Sequence, residues 1–402
     1  MGIENIGKNI AKLRKKAGLT QQMLAERLNM SNKSISKWEI GRGYPDVIAL
    51  AQMAELFGVS IDYLIFGHKK GIAVAGNIIA DIVKSIDVYP NPGMMTYLED
   101  ISLAVGGCVP NTSIGLSRID KSIPIYAFGK IGIDDNGKYI VSQLLKNGIN
   151  VDGITFSQNT PTSFCDVMSM PMGERTFFHK KGANAEFSPK DINISELDCK
   201  ILHIGYILLM DVFDAPDKDF GTVMARFLSD VQKKGIKTSI DVVSDSSANY
   251  GEKIKPALKF SNYAIMNETE CCRIFGAEPY DEDGNIITEN VKKVMLDMAD
   301  LGVSDKVIVH SKKISFILDV PSREFTKVPS LDIPTDKIRG SVGAGDAFCA
   351  GCLYGLYNDF SDRQILEFAS AAAACSLFEA NSVDGMKTKQ EILSVMRKYR
   401  RL

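Results

Sequence analysis

Several features are scarce in this chain, and each scarcity narrows what it can do. Histidine occurs only four times in 402 residues. The eight cysteines include a single C-x-x-C, Cys349 and Cys352, with no second pair and no histidine nearby. That argues against a zinc site or a redox dithiol and for small buried thiols, as does the adjacent pair Cys271-Cys272. No apolar run reaches membrane-spanning length and no signal-peptide pattern is found, so no membrane partner is expected and a reducing cytoplasm fits. Internal repeats and low-complexity tracts are absent as well. Net charge is small, −2, which gives no global pull toward a polyanion.

The charge is nevertheless uneven. Residues 1–70 hold 11 Lys/Arg against 6 Asp/Glu, whereas the remainder holds 36 against 43. A basic head on an acidic body suggests that the head alone meets a polyanion. Ile6, Ile10 and Leu13 repeat at helical spacing, and Gly18 ends that helix. Thr20 caps a second helix, Gln21 to Leu28, and a third runs from Asn32 to about Ile40. Gly41-Arg42-Gly43-Tyr44-Pro45 breaks it. Asp46 caps a fourth through Phe57, and Val59 to Leu64 supplies a fifth. Two short helices about a tight turn in a basic, all-helical unit form the helix-turn-helix pattern.

The body, after a short linker at His68-Lys69-Lys70, opens on the apolar run Gly71 to Ala75, a buried strand. Ile82–Val88 and Thr96–Leu103 alternate and are expected to be exposed strands of a small sheet. Asp81 is expected at the end of the first strand, where an open α/β sheet places its ligand. A hairpin is expected around Pro171-Met172-Gly173-Glu174. From residue 200 strands and helices alternate, which argues a parallel sheet covered on both faces.

Late in the chain, Gly340-Ser341-Val342-Gly343-Ala344-Gly345-Asp346 runs into an apolar helix. Glycines let a backbone approach a ligand closely, and a helix start offers unsatisfied N–H groups and a positive dipole end. That is a place for phosphate. The carboxylate of Asp346 in the same turn would repel phosphate unless it has a role. The role that fits is to accept a proton from an attacking hydroxyl. Asn267 and Glu270 stand one helical turn apart. Alone they would also suit an N-cap with its capping-box partner. Asp81 alone would suit a turn cap.

These residues carry two resemblances. Leu19 to Leu28, followed by Ser34 to Arg42, closely resembles the Xre/Cro-type repressor DNA-binding domain over residues 6–66. By that resemblance Gln21, Asn32, Lys33 and Lys37 face base edges, and Ser31 and Arg42 approach phosphates. The competing expectation is a charged, solvated face of a protein-binding module. Gly106-Gly107 with Asn111, Gly129-x-x-Gly132-x-Asp134-x-x-Gly137, Asn267-x-x-Glu270 and the late Gly-Ala-Gly-Asp resemble, in order, the PfkB or ribokinase-like sugar kinases. The fold implied is an all-α helix-turn-helix domain, residues 1–67, followed by an α/β ribokinase-like domain, residues 68–402. The latter has a mostly parallel sheet, helices on both faces and a small β lid.

The kinase resemblance implies Asp346 as catalytic base and Gly343, Ala344 and Gly345 as the anion hole for ATP phosphate. Asn267 and Glu270 would organise Mg²⁺ and its waters, with no direct metal ligand. Asp81, Gly106, Gly107 and Asn111 would hold substrate hydroxyls, and Arg175 and Asn184 would close over them. ATP is the expected co-substrate, Mg²⁺ the expected ion and K⁺ a candidate second one. The partners expected are a sugar or nucleoside, a double-stranded DNA operator and a second copy in a homodimer. Three stretches depart from the family pattern. Gly340-Ser341 replaces Asp-Thr, Val309 to Ile314 lacks the usual glycines, and Glu379-Ala380-Asn381-Ser382 replaces a Gly-Ala. The retained motifs imply a kinase; the departures imply, as the rival, a transcriptional regulator whose kinase-like body senses a sugar.

Overall fold

Each helix of the head after the first begins on an oxygen-bearing cap. The side chains of Thr20, Ser31, Asp46 and Ser60 accept from the backbone N–H of Met23, Ser34, Ala49 and Tyr63. Each cap satisfies one donor that the helix itself leaves unpaired. The computed structural model describes residues 3–67, 70–170, 175–244 and 249–402. The linker residues His68 and Lys69 and the hairpin tip 171–174 therefore lie outside the described residues. The chain divides into two compact units, Met1–Lys70 and Gly71–Leu402.

The first unit holds five helices, Ile3–Lys16, Gln21–Arg27, Asn32–Glu39, Val47–Phe57 and Ile61–Phe66. Ile10, Leu24, Ile35, Met53 and Leu64 meet in its fully buried centre, with Trp38 beside them. One ion pair crosses this core. The Arg14 guanidinium grips Glu39 through Nε at 2.6 Å and Nη2 at 2.9 Å, and donates Nη1 to the Leu19 carbonyl at 2.7 Å. It ties the first helix to the third and to the turn ahead of the second.

The second unit is built on a nine-stranded sheet. Its strands run in the order Glu324–Pro329, Ile314–Asp319, Lys306–His310, Tyr263–Asn267, Lys237–Val242, Cys199–Ile207, Gly71–Gly76, Ile125–Gly132 and Asn150–Ser157. The last seven are parallel; the first two form an antiparallel edge. In Gly71–Gly76, Ile72 and Val74 enter one core while Ala73 and Ala75 enter the other, on the opposite face. That two-sided burial is why the strand is a continuous apolar run rather than an alternating one.

A second sheet of four strands, ordered Asp100–Gly106, Ile79–Ser85, Phe164–Ser169 and Arg175–Lys180, forms the lid. Among the described residues its own core is Ile79, Cys165 and Val167, with Val83 packed against them. Asp81 belongs to this sheet and not to the end of the first strand, which corrects the expectation for that residue. The main-sheet strand ends at Gly76, and after Asn77-Ile78 the chain turns straight into the lid, three residues earlier than the alternation suggests.

Candidate active site

The helix Ala344–Tyr357 starts where the sequence predicts, and its N-cap is Gly343 at φ +79°. A side chain there would place its Cβ 2.5 Å from the Ser382 carbonyl oxygen, so only glycine closes this turn. Gly345 is different. A Cβ on it would meet nothing closer than His310 at 3.7 Å, because it faces a cavity. The Ala344 N–H is engaged, by the Ser341 carbonyl at 3.3 Å.

The cavity, about 260 Å³, is lined by Tyr206, Asp241, Ser244, Asn267, Glu270, His310, Gly343, Gly345 and Asp346, among others. Asp346 is 5% exposed. Its Oδ2 accepts from Asn111 Nδ2 at 2.9 Å, and the Tyr206 hydroxyl donates to both carboxylate oxygens at 3.1 Å. Burial pushes its pKa up to about 7, with Asp81 and Glu270 adding repulsion and the two hydrogen bonds opposing it. A carboxyl poised near neutrality can hold or release a proton at working pH.

Asn267 and Glu270 line the same cavity while forming a reciprocal capping box. Asn267 Oδ1 accepts the Glu270 N–H at 2.8 Å, and Glu270 Oε2 accepts the Asn267 N–H at 3.0 Å. The capping-box alternative is thus present, in a motif whose side chains also line the cavity. Ser244 donates to the other Glu270 oxygen at 2.7 Å. Burial raises Glu270, and raises Asp241 well above the carboxylate range with help from Glu270 and Asp346.

In the second sheet, Gly106 makes room for Asp81, since a Cβ there would lie 2.3 Å from the Asp81 carboxylate. Gly107, at φ +84°, would drive a Cβ to 2.6 Å from the Asn77 carbonyl oxygen. Asn77 and Asn111 are buried, and each keeps a side-chain oxygen without a protein partner. Asn77, Tyr206 and Asp241 were not singled out by sequence reasoning. They come from the ends of three strands distant in the chain, and no local pattern marks them. Asn184 does not reach over the cavity. It is fully buried and pairs with the backbone of Ile78 through both its oxygen and its nitrogen at 3.1 Å. The side chain of Arg175 lies outside the described residues. Asp134 in the glycine-rich Gly129–Gly137 segment is also structural, accepting from Gly137 N at 2.9 Å and from Thr162 N and Oγ1 at 2.7 Å.

Two departures from the family pattern have a structural form. A Cβ on Gly340 would stand 3.1 Å from the carbonyl oxygens of Glu379 and Ala380, so neighbouring backbone crowds the space of a larger residue. The glycine-poor turn after Val309 is held by Ser311, whose Oγ accepts from Ile314 N at 3.1 Å. His310 packs on Phe348 at 4.7 Å and is kept neutral by burial, with its pKa lowered to about 4.

In the head, Ser31, Asn32, Lys33, Lys37 and Arg42 are exposed at or beside the third helix. Ser31 also caps that helix. Gln21 is turned differently from the expectation: its amide donates to Glu39 Oε2 at 2.8 Å, joining the buried Arg14 pair. Burial lifts the Glu39 carboxyl, but the bonds from Arg14 and Gln21 outweigh it and hold the pKa low.

Known proteins share this plan. The solved ribokinase of Arabidopsis thaliana, complexed with ribose and ATP, superposes with a TM-score of 0.68 at 21% identity, covering 82% of this chain and 99% of that one. A ribokinase of Haemophilus influenzae is 22% identical over 82% of this chain and 99% of its own. A 5-dehydro-2-deoxygluconokinase of Clostridium botulinum is 23% identical over 72% of this chain and 82% of its own. Residues 10–64 match the helix-turn-helix family. Residues 70–389 match the pfkB family carbohydrate kinase. The chain, a helix-turn-helix domain followed by a ribokinase-like α/β domain, thus belongs to the pfkB family of carbohydrate kinases.

Proposed function

We propose that the body transfers the γ-phosphoryl group of ATP to a hydroxyl of a sugar or nucleoside, with Asp346 as the general base. The acceptor O–H gives its proton to the Asp346 carboxylate. Its oxygen attacks the γ-phosphorus, and the bond to the β,γ-bridging oxygen breaks to release ADP. Asp81, Gly106, Gly107 and Asn111 orient the acceptor. The unpartnered Asn77 and Asn111 oxygens suit a ligand rich in hydroxyl donors. Of the helix start Gly343, Ala344 and Gly345, Gly343 and Gly345 line the cavity and would face the transferring group, while the Ala344 N–H is engaged by Ser341. What supports this reading most is the buried Asp346 carboxylate, open to the cavity at the first turn of a glycine-started helix.

A divalent cation fits the donor set. Asp241, Glu270 and Asp346 share a cavity whose lining, among the described residues, contains no Lys or Arg, so their mutual repulsion would be relieved by a cation. Among the described residues no cluster of three metal-ligating side chains is assembled. Mg²⁺ would therefore be held through waters by Asn267, Glu270 and Asp241, and when bound would screen phosphate charge.

The head is proposed to bind an operator in double-stranded DNA through Asn32, Lys33 and Lys37, with Ser31 and Arg42 at phosphates, and the protein to act as a homodimer. The crowded Gly340 favours a second reading, a sugar-sensing regulator with little turnover. ADP release from Mg-ATP, followed across pentoses, hexoses, keto-deoxy sugar acids and nucleosides, separates the two. Turnover that falls about 10²–10⁴-fold in Asp346→Asn is expected. Tight sugar binding without turnover in the natural protein would instead establish the sensor.

A further inference from the structure

Tyr206 sits at the end of the strand Cys199–Ile207 in an unusual backbone. Its φ is +61° and that of Leu208 is +91°, both in the region side chains avoid. The surrounding turn is held from two sides. Asp214 accepts the N–H of Leu208 at 3.1 Å and of Met210 at 3.0 Å, and Asn77 Nδ2 donates to the Tyr206 carbonyl at 3.2 Å. The result of this constraint is the hydroxyl bridging both Asp346 oxygens.

The surroundings of Asp346 explain why such a donor is needed. Asp81 from the lid, Asp241 from a strand end and Glu270 from a helix start all add repulsion near it, and Cys108 and Cys349 are buried thiols beside it. Among the described residues no Lys or Arg lines the cavity. Its charged form is steadied by two neutral donors, Asn111 and Tyr206.

We propose that Tyr206 is a positioning residue for phosphoryl transfer, holding the Asp346 carboxylate charged and aimed into the cavity from a turn that Asp214 and Asn77 lock in place. The proposal rests on the reading of Asp346 as the base. Losing a donor to the charged form raises a carboxyl pKa. In the full-length protein, Tyr206→Phe removes the hydroxyl and keeps the ring.

The first measurement needs no sugar. The infrared band of the protonated Asp346 carboxyl, isolated by subtracting Asp346→Asn in each background, is followed against pH. Its midpoint is expected to rise by about one unit or more in Tyr206→Phe, the size of one hydrogen bond to a charged group. Asp214→Asn, which loosens the turn and leaves the phenol in place, should move it the same way. An unchanged midpoint in Tyr206→Phe overturns the proposal.

The second measurement is the pH profile of Mg-ATP turnover with ribose and with fructose. The acid limb of Tyr206→Phe should move to higher pH by the same amount, with activity recovering on the alkaline plateau. An equal loss at every pH marks a packing role and overturns the proposal. If the natural protein phosphorylates neither sugar, nor any other acceptor, the kinase reading fails, while the infrared midpoint still decides the place of Tyr206.

Discussion

At the scale of single residues, Asp346 sets function against stability. A buried carboxyl whose folded pKa is raised from 3.8 to about 7 is more easily protonated in the folded state than in the unfolded one. The folded state is therefore disfavoured progressively as pH rises through that window, by up to about 4 kcal/mol above it. Asparagine imitates the neutral acid and carries no such penalty. Asp346→Asn should thus lose most turnover yet be more stable than the natural protein by about 2–4 kcal/mol at pH 8. The gain should shrink toward zero near pH 4. Urea unfolding of the body at both pH values checks this, and equal differences at the two would refute the assigned charge state. The place of Asp346 at the cavity could be read from sequence because the carboxylate and the glycines of a helix start are contiguous there. Its donor Tyr206 could not, since the contact spans 140 positions and depends on a backbone conformation that sequence seldom announces.

At the scale of elements, the start of the helix Ala344–Tyr357 divides its glycines by task. Gly343 is required by the fold, for its φ is +79° and Ser382 stands in the way of a side chain. Gly345 is required by nothing in the packing. Gly343→Ala should therefore destabilise the body by roughly 2 kcal/mol or more. Gly345→Ala should leave the melting temperature unchanged or slightly higher, as alanine is the better helix former. It should still lower kcat about tenfold or more, because its methyl occupies space meant for phosphoryl oxygens. Full turnover in Gly345→Ala would move the phosphate away from this helix. The same element shows what a sequence reveals well. The helix Ala344–Tyr357 and the strand Lys237–Val242 fit the expected late apolar helix and the alternation after residue 200, since glycine signals and buried runs mark them locally. The lid strands do not. Ile79–Ser85 is fully buried only at Ile79 and Ala80, and Asp100–Gly106 only at Val105 and Gly106, so side-chain alternation alone cannot fix where pairing begins.

At the scale of the whole molecule, charge and apolar surface point to different partners. Among the described residues no helix is long and apolar enough to cross a membrane. The excess of Lys/Arg lies in the first 70 residues, where Lys33, Lys37 and Arg42 are exposed. Phosphate contacts from such groups give salt-dependent, sequence-independent attraction, on which base contacts build specificity. One helix-turn-helix reads one half-site, so useful affinity requires two heads held together. The lid and the segment before its strand Asp100–Gly106 carry the apolar surface for that. Met94, Met95 and Tyr97 are 71%, 77% and 79% exposed, and Val88 and Ile101 are exposed near them. Exposed apolar side chains of this kind suit the surface through which the proposed homodimer would pair. With both bodies paired through it, the second head would bind DNA at a raised effective concentration, worth about 10²-fold or more in affinity. The double variant Met95→Glu/Tyr97→Glu should sediment as a monomer at concentrations where the natural protein is a dimer. Its affinity for an operator with two half-sites should drop by that factor, while its weak binding to a single half-site stays the same. A variant that remains dimeric would place the contact elsewhere. A monomer that keeps full operator affinity would show that the heads pair without help from the bodies.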